Sequence, residues 1–205
     1  MLCSRINNHG VLEEFMGEAD LAKLFQLATD DCDNQRHAEE IRQMREGKDN
    51  TVLPANLVVE GESPKHAAIN IATYIRELRM PGKVKLALLG NQTARTLLIR
   101  DSNRLISLFV LENPRLTENE VFEFARNRDL HDSVVRTIAG NQSWMRNYAI
   151  KSAVVNNPKT PLDISLKWVK HLKEKDLRLL AKSRNIPHAL AVQSRKLLER
   201  REQTN

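Results

Sequence analysis

The feature that most constrains this chain is a self-similarity at a spacing of 44 residues. Shifted by that amount, Asn103 falls on Asn147, Ile106 on Ile150, Val110 on Val154 and Asn113-Pro114 on Asn157-Pro158. Asp132 falls on Asp176 and Asn141 on Asn185. Apolar positions keep step between these anchors: Phe122 with Leu166, Phe124 with Trp168, Val135 with Leu179. The identities are few, but they fall on residues that start and stop helices, which a structural repeat must reproduce. Gly90-Asn91-Gln92 and Gly140-Asn141-Gln142 add a partial earlier copy at an offset of 50. A period in the forties with several short helices per unit is the pattern of HEAT- or armadillo-like solenoids, in which each unit covers the apolar face of the next. The expected fold is all-α: a short right-handed α-solenoid of HEAT-like repeats over residues 81–205, preceded by an N-terminal helical arm.

Local punctuation supports the helical reading. Pro81 opens a helix that Gly90-Asn91 closes through a left-handed residue. Asp101 or Ser102 is expected to cap the apolar run Leu105 to Leu111, and Asn113-Pro114 stops it. Asn113 and Asn157 read as structural residues, left-handed at the helix end and bonded to neighbouring turns. Thr117 and Glu120 form a capping box. A polar helix carrying Arg195 to Arg201 after Pro187 shields the last unit. Upstream, residues 1–50 read as an amphipathic arm with Leu12, Phe15, Met16 and Ala19 at helical spacing. Residues 51–80 read as a linker plus one helix, opened by Ser63-Pro64 and ending near Arg79.

Charge divides the same way. Residues 1–80 hold nine Lys/Arg against fourteen Asp/Glu, a balance of −5, and residues 81–205 hold twenty-three against twelve, a balance of +11. An acidic arm and a basic body follow, the body suited to an anionic partner. Two cysteines, Cys3 and Cys32, make no disulfide framework. No apolar run is long enough to span a bilayer and no secretory h-region is visible, so no membrane partner and a cytoplasmic location are expected.

The phrases Leu98-Ile99-Arg100-Asp101-Ser102-Asn103, Glu112-Asn113-Pro114-Arg115-Leu116-Thr117, Trp144-Met145-Arg146-Asn147-Tyr148 and Asn156-Asn157-Pro158-Lys159-Thr160-Pro161-Leu162 occur together, followed by Lys175-Asp176-Leu177. In them residues 81–200 resemble an uncharacterised family of bacterial proteins with a variable N-terminal arm and a helical-repeat body. The body is also similar to leucine-rich-repeat-variant units, whose apolar helices end in Asn-Pro. The resemblance implies the fold and transfers no functional residue.

The chemistry of a catalyst is not legible. The six histidines are scattered, the Gly-Asn-Gln phrases lack the further glycines and the lysine of a phosphate loop, and no Ser or Cys sits in a nucleophile elbow. No cofactor or metal is expected, and the chain reads as a non-enzyme. Two features are candidates for binding. Trp144, Tyr148 and Trp168 lie close in sequence to Arg146, Lys151, Lys167 and Lys170, and aromatics beside cations hold bases and phosphates. Trp144 and Tyr148, four apart, would share a helical face, with Trp144 the more exposed tryptophan and Trp168 packed in the core. Asp163 would be the carboxylate of a HEAT-like DNA glycosylase, a third reading. The second feature is the basic stretch Lys167, Lys170, Lys173, Lys175, Arg178, Lys182 and Arg184. The leading expectation is a scaffold or adaptor that binds a protein partner on a basic helical-repeat surface. Nucleic acid is the alternative, and the arm offers a route to self-association.

Overall fold

The computed structural model describes residues 53–54, 57–59, 68–183 and 185–203. The expected arm over residues 1–50, the Ser63-Pro64 helix start and Arg184 lie outside the described residues. Among the described residues the chain is all-helical, with eleven α-helices, one 3-10 turn and no strand. We number the helices α1 (Ala68–Glu77), α2 (Met80–Leu89), α3 (Gln92–Leu98), α4 (Arg104–Leu111), α5 (Glu118–Arg126), α6 (Asp132–Gly140), α7 (Gln142–Arg146), α8 (Tyr148–Asn156), α9 (Leu162–Trp168), α10 (Glu174–Lys182) and α11 (His188–Glu202). The 3-10 turn, Val169–His171, follows α9. No described helix is long and apolar enough to cross a membrane. The chain divides into two compact units with the boundary between Leu116 and Thr117.

In the first unit α2 packs on α3 and α4, and α1 on α3. Helix α2 begins at Met80 with Pro81 in its first turn, where a missing N–H costs nothing. Its sequence is nearly apolar all round and its residues are buried on almost every side, as a helix enclosed by neighbours must be. Gly90 ends it, but with φ −66° and ψ 154°, in extended rather than left-handed backbone. The glycine is needed for proximity instead: a Cβ there would stand 2.3 Å from the Leu86 carbonyl oxygen and 2.9 Å from the Ala94 Cβ. Asn91 caps α3, its Oδ1 accepting from the Ala94 N–H at 3.1 Å. Leu57 is buried, and its carbonyl accepts from the Asn91 N–H, while Asn91 Nδ2 and the Arg115 guanidinium donate to the carbonyls of Val59 and Val58. Three residues from the stretch expected to link arm and body are thus bonded into this unit.

The cap of α4 is neither Asp101 nor Ser102 but Asn103, whose Oδ1 accepts from the Leu105 N–H at 2.9 Å. The Asp101 carboxylate is engaged elsewhere, with Oδ1 accepting from the Asn103 N–H and Oδ2 from Lys83 Nζ, both at 2.8 Å. The aligned Asn147 caps α8 in the same manner as Asn103, accepting from the Ala149 N–H at 2.9 Å. The Asn103–Asn147 anchor of the sequence repeat is a pair of equivalent N-caps.

The Asn-Pro anchors are equivalent in more detail. Asn113 follows α4 and is 4% exposed; its Nδ2 donates to the carbonyls of Ala87 at 2.8 Å and Gly90 at 3.2 Å, at the C-terminal end of α2. Asn157 follows α8 and is also 4% exposed; its Nδ2 donates to the carbonyls of Ala125 at 2.8 Å and Asn127 at 2.9 Å, at the C-terminal end of α5. In both, Oδ1 accepts from the N–H two residues on, Arg115 or Lys159, at 2.9 and 3.0 Å. Both protons of the amide NH2 are used, and they are used on carbonyls that have no partner inside their own helix. Asn157 does this with φ −81° and ψ 122°. The expected left-handed conformation is therefore absent at Asn157, and the side chain rather than the backbone requires asparagine.

Thr117 and Glu120 make the expected capping box at α5, with the Glu120 N–H donating to Thr117 Oγ1 and the Thr117 N–H donating to Glu120 Oε2. In the second unit α5 packs on α6 and α8, α8 on α7 and α9, and α10 on α11. The sequence register slips at α10. Val135 is buried, whereas Leu179, its partner at 44, is 61% exposed. Counting from the helix starts at Asp132 and Glu174 instead matches buried Val135, Ile138 and Ala139 with buried Leu177, Leu180 and Ala181. The same register pairs Asp132–Arg136 with Glu174–Arg178, two i,i+4 ion pairs. Helix α9 has seven residues where α5 has nine, so α10 starts two residues early in the 44-residue register, and Asp176 and Asn185 are not the structural equivalents of Asp132 and Asn141. Asn141 caps α7, whereas Asn185 is exposed and its N–H donates to Ser183 Oγ.

Helix α11 carries a polar outer face. Leu190, Ala191 and Ser194 are buried, and the Arg195 guanidinium donates to the Ala181 carbonyl. Arg201 donates to the carbonyls of Leu172 at 2.9 Å and Lys170 at 3.0 Å. Cations thereby close the carbonyl ends of α10 and of the 3-10 turn, as the helix dipole favours.

Candidate cleft of the second unit

The second unit holds an open cleft of about 620 Å³ between α5, α8 and α10. One wall is a stripe of α8: Ala149, Ser152, Ala153 and Asn156, whose spacing of three, one and three keeps them on one face. Phe122 and Arg126 come from α5, Arg128 from the turn after it, and Tyr148 and Asp176 close one end. Helix α5 presents Phe122 and Arg126 here because Val121, Phe124 and Ala125 take the buried side. The stripe of small side chains on α8 leaves the space that a larger residue would fill.

The end wall is a bonded cluster. The Tyr148 hydroxyl donates to Asp176 Oδ2 and accepts from the Lys173 N–H at 2.9 Å, and Lys173 Nζ lies 4.7 Å from the Tyr148 ring centroid. Burial, and after it the bond to Asp176, holds the Tyr148 phenol above its ordinary value of 10.0. The phenol therefore stays protonated at neutral pH and acts as a tie between α8 and α10. Asp176 Oδ1 has no donor among the described residues. Asn156 Nδ2 donates within its own helix to the Ser152 carbonyl and Oγ, and its Oδ1 has no donor among the described residues.

Charge in the cleft is positive. Arg126 leans on the Phe122 ring at 5.4 Å and makes an exposed 3.5 Å contact with Glu123, a pair worth little. Arg128 is exposed and makes no ion pair among the described residues. Asp176 is the single acid of the lining, and one of its oxygens is committed to Tyr148.

Of the residues singled out from sequence, Tyr148 and Lys173 meet here. The others disperse. Trp144 and Tyr148 do not share a helix, because Asn147 ends α7 in extended backbone and caps α8. Trp144 and Trp168 are both half-buried. Trp168 packs on the cluster of Val155, Val169, Leu172, Leu177, Leu180 and Leu190, with Lys151 and Lys167 at 5.6 and 5.5 Å from its ring. Arg178 is paired with Glu174 and lies 4.0 Å from Glu202. Arg146, Lys170, Lys175 and Lys182 are exposed, on α7, the 3-10 turn and α10. Asp163 is exposed in the first turn of α9 and is not among the cleft residues. The cleft residues missed from sequence are Phe122, Arg126, Arg128, Ser152, Asn156 and Asp176. The i,i+3,i+4,i+7 run of small residues on α8 is their one visible sign. Compared with protein-family models, curated proteins and solved structures, the chain matches none.

Proposed function

We propose that this chain is a non-enzymatic interaction module of the HEAT-like α-solenoid type, and that it binds a protein partner on the basic side of its second unit. The observation that carries the reading is the cleft between α5, α8 and α10, whose lining offers donors from Arg126 and Arg128 and acceptors from Asn156 and Asp176. Such a mixed set suits a peptide, which carries N–H and C=O groups in alternation. The Asn113 and Asn157 latches add support for the repeat architecture, since each ties a helix end to a neighbouring helix in the same way.

A nucleic-acid partner, the alternative raised by the +11 balance of residues 81–205, would call on aromatics free to stack. Trp168 instead carries two lysines of its own chain over its ring. The test is affinity capture with the full chain from its native lysate, with and without nuclease. The captured component is then rebuilt from purified proteins and its stoichiometry measured by sedimentation. The expected result is a protein that survives nuclease and reassembles at a fixed ratio. Retention of nucleic acid alone, lost on nuclease treatment, would overturn the reading.

A further inference from the structure

We infer that the cleft of the second unit is a receptor for an acidic, extended peptide segment of the partner; the inference rests on the interaction reading above. The stripe from Ala149 to Asn156 runs seven residues along α8, about 10 Å at helical rise, which is the reach of about three extended residues. The occupant is therefore a short motif. Its charge is set by Arg126 and Arg128. Both are exposed; one has only the weak Glu123 contact and the other has no ion pair among the described residues. Arginine forks bind carboxylates through paired, charge-assisted hydrogen bonds.

The acceptors decide against a phosphodiester strand. Asn156 Oδ1 and Asp176 Oδ1 line the same cleft and lack donors among the described residues. A peptide backbone supplies N–H groups to satisfy them along its whole length, whereas a DNA backbone offers only acceptors. Two arginines also fit two acidic side chains better than a phosphate track, which is neutralised along its length.

The test uses fluorescence anisotropy of the full chain with a labelled hexapeptide alternating glutamate and glycine, against its glutamine counterpart. The glutamate peptide should bind at least about tenfold more tightly, the loss expected for one charge-assisted bond. The double variant Arg126→Gln, Arg128→Gln and the cleft-filling Ala149→Trp should each weaken it about tenfold or more. Ala149 is exposed, so the tryptophan adds bulk to the groove rather than to the core. Should Ala149→Trp fail to fold by circular dichroism, the arginine variants, on exposed side chains, carry the test. Arg136→Gln with Lys196→Gln, basic and outside the cleft, should leave binding within about twofold. Absence of binding, equal binding of both peptides, or indifference to the cleft variants would overturn the inference. So would displacement by oligothymidylate or by free glutamate at concentrations below those of the peptide. A captured protein partner that still binds the arginine variants would sink the cleft assignment while leaving the interaction reading intact. Failure to capture any protein would sink that reading instead.

Discussion

Replacing Asn157 by alanine removes three hydrogen bonds, and the structure says what each loss leaves behind. The Ala125 carbonyl is fully enclosed, and the 2.8 Å bond from Asn157 is its replacement for a helix partner that α5 ends too early to supply. Stranding it costs about 1–3 kcal/mol. The Asn127 carbonyl and the Lys159 N–H, bonded at 2.9 and 3.0 Å, are partly accessible, so water replaces the side chain at a net cost of about 0.5–1.5 kcal/mol each. The central expectation is about 4 kcal/mol, which for a chain of this size lowers the melting temperature by about 8–16 °C. Asn113→Ala, with bonds of 2.8, 3.2 and 2.9 Å to Ala87, Gly90 and Arg115, should cost about the same. The two sites share no partner, so the double variant should be additive within about 0.5 kcal/mol. Asn157→Asp is the sharper control: it keeps the acceptor for Lys159 but turns an oxygen toward two carbonyls, and it should destabilise at least as much as alanine. The assay is urea and thermal unfolding followed by circular dichroism. A loss below about 1 kcal/mol for Asn157→Ala with an unchanged m-value, or an aspartate variant as stable as the native chain, would refute the latch.

Four other substitutions have equally definite outcomes. Thr117→Ala removes one half of a capping box whose other half, Glu120, is buried, and should cost about 1 kcal/mol in urea unfolding. Gly90→Ala must displace the Leu86 carbonyl or Ala94 and should destabilise by about 1–3 kcal/mol, whereas Gly140→Ala, with nothing within 4 Å, should be neutral or slightly stabilising in the same assay. The Tyr148 phenol is held above its unfolded value, so its contribution is complete below about pH 10 and is lost as pH rises through the folded value. Tyr148→Phe should cost about 1 kcal/mol at neutral pH and flatten the alkaline decline in melting temperature, an effect read from melts at rising pH.

What is legible in the sequence is whatever local chemistry fixes. The Thr117 box, the Pro81 start and the helix over Leu105 to Leu111 depend on neighbours a turn away, and all are present. Asn113 and Asn157 are recognisable as structural from their place before proline, and their side chains do bond to neighbouring turns, but which turns is hidden, since the donors' targets lie twenty-three to thirty-two residues upstream. No periodicity announces such a bond. The slip at α10 is hidden because Asp176 and Leu179 offer plausible partners at 44, and only burial distinguishes them from Glu174 and Leu177. For the cleft, Tyr148 and Lys173 stand out as an aromatic and a cation, and they do meet. Arg126, Arg128 and Asn156 do not stand out, because their importance arises from three helices converging, and each alone looks like an ordinary polar surface residue.

The proline that follows each latch has a consequence for how the protein ages. An asparagine deamidates when the backbone nitrogen of the next residue attacks its side-chain carbonyl carbon, and that nitrogen must lose a proton to close the ring. At Asn113 and Asn157 the next nitrogen belongs to Pro114 and Pro158 and carries no proton. Conversion of either amide to carboxylate would set a negative charge against the carbonyls it now serves, and this route cannot reach them. Asn103 and Asn147, which cap helix starts through their side-chain oxygens, precede Arg104 and Tyr148 and have no such protection. Aspartate there would still accept the same N–H. Each of the two latches is thus paired with the one following residue that closes this route of chemical ageing to it.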